Sequence, residues 1–174
     1  MNILQGKLVN LRALEPTDLE LLYQWENNPS VWEVSNTIVP YSKFILRQYI
    51  ENSAQDIYAA KQLRLVIEEL GGSAAVGLID LFDFDPYHSR VGVGVLIGQN
   101  EFKNKGFASE SLRLVCAYVR DQLGLKQVYC NITSDNTQSI KLFEKNGFVI
   151  CGTKKQWIRS KDTWKDELIL QLVF

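Results

Sequence analysis

The stretch from Arg90 to Ile132 most constrains how this chain can fold. Arg90–Ile97 (Arg-Val-Gly-Val-Gly-Val-Leu-Ile) is an apolar, valine-rich run with the composition of a central strand. A short glycine turn follows, Lys103-Asn104-Lys105-Gly106-Phe107-Ala108. Ala108, Leu112, Val115, Cys116, Val119 and Leu123 then recur at helical spacing, with Gly124 placed to cap the helix. Gln127–Ile132 is a second β-rich run. Strand, turn, long helix, strand predicts a parallel pair formed across the helix. The first strand carries Gly92 and Gly94 where a regular strand carries none, which predicts a bulge or a close approach to its backbone. The turn aims several backbone N–H groups and the positive end of a helix dipole at one spot. That arrangement suits a phosphate group.

The length of 174 residues argues for a single domain over 1–174. A hydrophobic share of 46% is enough for a real core and argues against disorder. No apolar run approaches the roughly 20 residues that span a bilayer. Residues 1–7 lack the basic-then-apolar order of a signal peptide. The three cysteines, Cys116, Cys130 and Cys151, lie in apolar-patterned segments and read as buried free thiols. His88 is the only histidine and no cysteine pair has metal-ligand spacing, so no metal site and no His-based triad is expected. These features fit a reducing cytoplasm. A net charge of −1 argues against coating nucleic acid. The charge is uneven: residues 1–99 hold 12 acidic and 7 basic side chains, residues 100–174 hold 8 and 12. Chance clustering on solvated faces gives such a split. So does a molecule that takes an anionic ligand on its C-terminal half and a cationic one on its N-terminal half.

The remaining elements follow from local signals. Lys7–Leu14 reads as a first strand. Pro16, Thr17 and Asp18 open a short helix that Asn27-Asn28-Pro29 ends, and Ser42 caps a second helix running to about Asn52. Leu63–Glu68, Ala75–Phe82 and Arg90–Ile97 are strands, with Asp83–Ser89 a polar loop. Thr137–Lys145 is a helix, and Phe148–Ile158 with Thr163–Val173 forms a closing hairpin. The order β-α-α-β-β-β-α-β-α-β-β predicts a mixed α/β sheet with splayed central strands.

At this point the residues resemble a family, the GNAT N-acetyltransferases. That family's phosphate turn reads Gln/Arg-x-x-Gly-x-Gly/Ala; here Lys103 takes the first place, and Gly106 and Ala108 match the rest. Asp135-Asn136-Thr137-Gln138-Ser139 through Glu144-Lys145-Asn146-Gly147-Phe148 resembles the family's Asn-x-x-Ser/Ala…Glu-Lys-x-Gly-Phe segment. Leu11-Arg12-Ala13-Leu14-Glu15-Pro16-Thr17-Asp18 is similar to the opening of the branch holding ribosomal-protein N-terminal and spermidine acetyltransferases. The resemblance implies acetyl-CoA as acyl donor and a primary amine as acceptor: a polyamine, another small amine or a protein N-terminus. It implies that the amides of Lys103, Asn104, Lys105, Gly106, Phe107, Ala108 and Ser109 hold the pyrophosphate. The pantetheine arm would pair with free amides near Val95, Leu96 and Ile97, with Asn136 hydrogen-bonding it and Ser139 packing nearby.

Acetyl transfer also needs a base for the ammonium and an acid for the leaving thiolate. In the family a Tyr often gives that second proton, and its place here falls to Phe143, which has none to give. The family's strand carboxylate is absent from Val91-Gly92-Val93. By nearness in sequence Asp83 and then Asp80 are the candidate bases, with His88 or a water chain as alternatives. Trp32, Glu33 and Tyr41 are candidates for the acceptor site. Phe143 and the missing carboxylate also motivate a different class, a non-catalytic acyl-CoA-binding regulatory module. Trp157 and Trp164 on the closing hairpin could offer an edge to a second copy, giving a homo-oligomer.

Overall fold

The computed structural model describes residues 3–72 and 74–174. Residues 1 and 2 of the N-terminal stretch read above lie outside them. The strands are β1 (Val9–Ala13), β2 (Leu63–Glu69), β3 (Ala75–Asp85), β4 (Arg90–Ile97), β5 (Gln127–Thr133), β6 (Val149–Ser160) and β7 (Thr163–Val173). They form one seven-stranded sheet in the order β1-β2-β3-β4-β5-β7-β6. The helices are α1 (Leu19–Glu26), α2 (Pro29–Ser35), α3 (Lys43–Asn52), α4 (Ile57–Ala60), α5 (Phe107–Asp121) and α6 (Thr137–Lys145). Among the described residues, only β4 and β5 pair in parallel, and α5 is the crossover between them, as the strand-turn-helix-strand order requires.

Two short helices depart from the sequence reading. Asn27-Asn28-Pro29 does end α1, but it also starts α2. The Asn28 side chain accepts from the Ser30 amide at 3.0 Å, and Pro29 sits at the first helical position, where its fixed φ costs nothing. Asp56 caps α4 in the same way, through the amides of Tyr58 and Ala59. β3 also runs beyond Phe82 to Asp85, into the segment read as a polar loop. Its pairing with β4 skips between Phe82 and Asp85, the signature of a bulge. Gly124 adopts φ 63 in the turn after α5, but the cap itself is Gln122.

Side chains alternate across the sheet and sort the core into two halves. Val91 and Val93 of β4 face α5, joining Ile79, Leu81, Leu112, Val115 and Val119. Leu78 and Val66 face the other way, against Leu22 and Trp25 of α1 and Leu46 and Ile50 of α3. Fully burying one such side chain stabilises the fold by about 1.5–3 kcal/mol. Cys116 and Cys130 are buried, and desolvation pushes both thiols up to about 12. Cys151 is exposed, contrary to expectation, because it lies on the outermost strand β6.

One polar contact ties the first strand to the crossover helix. Buried Glu110 of α5 accepts the amides of Lys7, Leu8 and Val9 at 3.1, 2.6 and 2.9 Å. Desolvation pushes its pKa up, but these bonds and Arg113 outweigh that and hold it below the ordinary carboxylate value.

Candidate active site

β4 and β5 pair at only three positions: Arg90 with Gln127, Val91 with Val128 and Gly92 with Tyr129. Beyond Gly92 the two strands part, while β4 stays paired to β3 as far as Ile97 and β5 to β7 as far as Thr133. A wedge therefore opens with Gly92 and Tyr129 at its vertex. The direction of the β4 amides follows from one bond. The Gly98 amide donates to the Val76 carbonyl at 2.9 Å, so it points at β3. In an antiparallel ladder alternate residues point opposite ways. Val95 and Ile97 thus turn their N–H and C=O groups into the wedge, whereas the backbone of Leu96 faces β3. Leu96 contributes its side chain instead, packed against the α1–α3 core.

The two strand glycines serve different ends. A Cβ on Gly92 would collide with the Phe82 ring, so packing alone explains that glycine. A Cβ on Gly94 would meet only Phe82 Cε1 at 3.9 Å, ordinary contact. Among the described residues no other atom beyond its chain neighbours comes within 4 Å of that Cβ, so the Gly94 backbone is bare on the face it shares with Asp80 and Arg64.

At the open end of β4 lies the glycine turn. Asn104 and Gly106 both have positive φ, 62 and 87. Gly106 is the N-cap residue of α5 and has no side chain to offer the helix end; the first bond across the cap is Glu110 N–H to the Gly106 carbonyl at 3.0 Å. The amides of Phe107, Ala108 and Ser109 in the first turn are left without intrahelical acceptors. Lys103 and Lys105 are exposed on the turn, the latter 5.4 Å above the Phe102 ring. Gln138 reaches Asn104 at 3.4 Å, and Asn146 donates to the Ser109 hydroxyl at 3.1 Å, so α6 braces the turn from both of its ends.

α6 flanks the wedge on the α5 side. The Asn136 carbonyl oxygen caps it by accepting from the Ser139 amide at 3.2 Å, which leaves the Asn136 NH2 group to donate elsewhere. Phe143 is buried, edge-on to Phe148 with ring centres 4.9 Å apart. The turn amides, the wedge amides of Val95 and Ile97, and the Asn136 NH2 group are the groups that could hold a phosphorylated cofactor with a long pantetheine arm.

The opposite face of β4 carries the charges. Arg64 of β2, Asp80 of β3 and Gly94 of β4 are cross-strand neighbours. Arg64 grips Asp80 through two bonds, at 2.6 and 2.9 Å, and also pairs with Glu26 at the end of α1. The Tyr49 ring packs 5.2 Å from the guanidinium. Burial works against the Arg64 charge, but the pull of Asp80 more than restores it, so the guanidinium stays protonated. Two carboxylates share one cation here, leaving a net negative charge beside Gly94. Asp80 is thus held in place by Arg64.

Asp83 is placed differently. Strict alternation would turn it toward the α5 core, where Leu81 lies. The bulge hands that place to Phe84 and swings Asp83, at φ 49, into solvent. There it accepts from the Tyr129 hydroxyl at 3.4 Å. Of the other candidates, Trp32 donates its indole N–H to the Glu26 carbonyl at 2.6 Å, and Tyr41 is clamped by Asn27. Glu33 reaches Lys165 of β7 at 3.0 Å, and Lys165 also holds Asp135 at 2.7 Å. This bridge spans from α2 to the start of α6. His88 is exposed beside Asp85, on the far side of the bulge.

The turn residues, Val95, Ile97, Asn136 and Ser139 belong to the turn, β4 and the start of α6, which border the wedge. Asp80 and Asp83 lie across the sheet from it. Sequence reading missed Glu26, Arg64 and Tyr129. Glu26 and Arg64 carried one signal, charge within otherwise apolar segments; Tyr129 carried none, since a tyrosine in a strand reads as packing.

Residues 9–149 match the family model described as an acetyltransferase (GNAT) domain. A spermidine N(1)-acetyltransferase of Escherichia coli is 29% identical over 147 residues, 83% of this chain and 74% of that protein. Among solved structures, spermidine N-acetyltransferase from Vibrio cholerae, in complex with CoA and spermine, superposes with a TM-score of 0.87 at 22% identity, covering 97% of this chain and 96% of that one. A structure of the Vibrio enzyme described as dodecameric gives 0.79 at 22% identity, covering 97% and 95%. The chain therefore shares the overall fold of these structures.

Proposed function

This chain belongs to the GNAT family of acetyl-CoA-dependent N-acetyltransferases, and on that footing we propose that its acceptor is a polyamine or a similar small polycationic amine. One observation carries the choice of acceptor. Glu26 and Asp80 share the single cation Arg64, so the face of Gly94 holds an uncompensated negative charge next to bare backbone. An ammonium group is the natural complement. The acidic N-terminal half and the spermidine-acetylating relatives support the same reading.

Acetyl-CoA supplies an acyl group activated as a thioester, and this chain's residues do the rest. The amides of residues 103–109 and the charges of Lys103 and Lys105 hold the pyrophosphate. Val95 and Ile97 N–H groups and the Asn136 NH2 group hold the arm, and Val95 N–H stabilises negative charge developing on the carbonyl oxygen. Asp80 and Glu26 orient the amine. Asp83, free of any cationic partner among the described residues, receives the ammonium proton. Trp32 and Tyr41 wall the acceptor side, and Glu33 joins that wall to β7.

The whole chain works as one catalytic domain. Exposed Trp157 and Trp164 on the closing hairpin, with β6 as the sheet's outer strand, support assembly into a homo-oligomer. Three free cysteines suit a reducing cytoplasm. Among the described residues, no helix is long and apolar enough to cross a membrane.

The test is release of CoA thiol across an acceptor panel of spermidine, spermine, monoamines and peptides with free N-termini. Spermidine and spermine should have the highest kcat/KM. A peptide that outpaces both by tenfold would replace the polyamine reading with a protein N-terminus.

A further inference from the structure

Phe143 leaves open where the leaving sulfur obtains its proton. We propose that Tyr129, on β5, is the proton donor, acting from the opposite face of the sheet; this rests on the acetyltransferase reading above.

Geometry carries the assignment. Tyr129 pairs with Gly92 in the last register position before the strands part, so it flanks the vertex of the wedge. The pyrophosphate turn lies at the open end, and an arm laid from there along Val95 puts its reactive tip toward that vertex. Phe143 packs into the α5-side core, whereas Tyr129 shares the other face with Phe82, their rings meeting edge-on with centres 5.9 Å apart. Gly92 must lack a side chain for the Phe82 ring to lie there. The glycine, the phenylalanine and the bulged Asp83 thus hold one phenol at the vertex, and its hydroxyl bonds Asp83 at 3.4 Å.

Its surroundings keep the proton on the phenol at neutral pH. Desolvation comes first, then the charge and hydrogen bond of Asp83. Asp85 of β3 adds to both, and Arg90 of β4 opposes them. Facing it on β7 is Gln171, which carries no charge.

The protons balance. The nitrogen gives one proton to Asp83 before it attacks. As the C–N bond forms and the C–S bond breaks, Tyr129 gives its proton to sulfur. Its oxygen then takes the second proton from nitrogen. Asp83 returns the first proton to solvent, so the products are an N-acetyl amine, a CoA thiol and one released proton.

The test compares Tyr129→Phe with the parent on spermidine. Loss of a general acid should lower kcat by about 100-fold. The KM for acetyl-CoA and the rise in Tm that acetyl-CoA causes should not change, which separates this result from failure of the cofactor site. The alkaline fall of the parent's kcat–pH profile should vanish in Tyr129→Phe and persist in Asp83→Asn. A merely structural hydroxyl would move neither. A kcat within twofold of the parent, or an alkaline limb that survives Tyr129→Phe, overturns the proposal. If the parent acetylates no polyamine, the acceptor reading fails by itself. Slow hydrolysis of acetyl-CoA by the enzyme needs the same proton on sulfur, so the same comparison then decides on that reaction: a large drop supports Tyr129, an unchanged rate overturns it.

Discussion

The glycine turn at one end of β4 and the charged face near its other end work on the same strand but are built differently. The turn is made of backbone. Asn104 and Gly106 at positive φ and the first amides of α5 lie within a few residues of one another, and side chains such as Gln138 and Asn146 only brace them. The charged face is made of side chains from α1, β2, β3 and β5 that meet only because the sheet brings them together. The first region rests on its backbone path rather than on particular side chains. The second depends on each partner.

The comparison can be broken from either side, and the largest effect is expected on the charged face. Arg64→Met leaves the buried Glu26 and the half-buried Asp80 without their shared cation, which should cost about 3 kcal/mol of stability in chemical denaturation. A loss under 1 kcal/mol would show that the cluster is hydrated rather than interlocked. On the turn, Gly106→Glu forces a side chain and a negative charge into the phosphate cradle. The parent should gain about 2.7 kcal/mol from acetyl-CoA at a hundred times its Kd. The variant should gain nothing, and thermal shift reads the difference.

Smaller effects sharpen the contrast. Glu110→Gln weakens three hydrogen bonds to a buried carboxylate, so a loss of about 2 kcal/mol is expected. The sign with pH follows from its lowered pKa. The carboxylate's contribution is full above its ordinary value of about 4.3 and is lost as pH falls through the lower folded value. The parent's Tm should therefore drop on acidification below pH ~4, and Glu110→Gln should flatten that limb. Asn136→Ala removes one helix cap, at about 1 kcal/mol. If Asn136 also holds the arm, the acetyl-CoA KM should rise as well. A Tm change alone would reduce it to a cap.

Legibility in the sequence followed the same division. β4, the Thr137–Lys145 helix and the Ser42 cap were readable from spacing and local hydrogen-bonding residues, because each depends on neighbours within a turn. α2 was hidden by its own start signal: Asn28-Pro29 ends one helix and begins the next, and a stop looks the same in both roles. The bulge at Asp83 looks like a loop in the sequence, since its polar residues do not alternate with apolar ones. Asp80 and Asp83 are two acidic residues of one strand, β3. Nothing local distinguishes the carboxylate that Arg64 locks from the one the bulge turns out to solvent.

By itself the sequence determined the parallel β4–β5 pair, the glycine turn that opens α5, and the family to which both belong. Those features rest on backbone conformation and short-range periodicity, which residues close in the chain dictate. Only the tertiary structure decided that β4 and β5 part after Gly92, that Arg64 holds Asp80 and Glu26 together, and that Tyr129 stands at the vertex beside Asp83. Strand divergence and side-chain pairing depend on what packs across the sheet, and those partners lie tens of residues away along the chain.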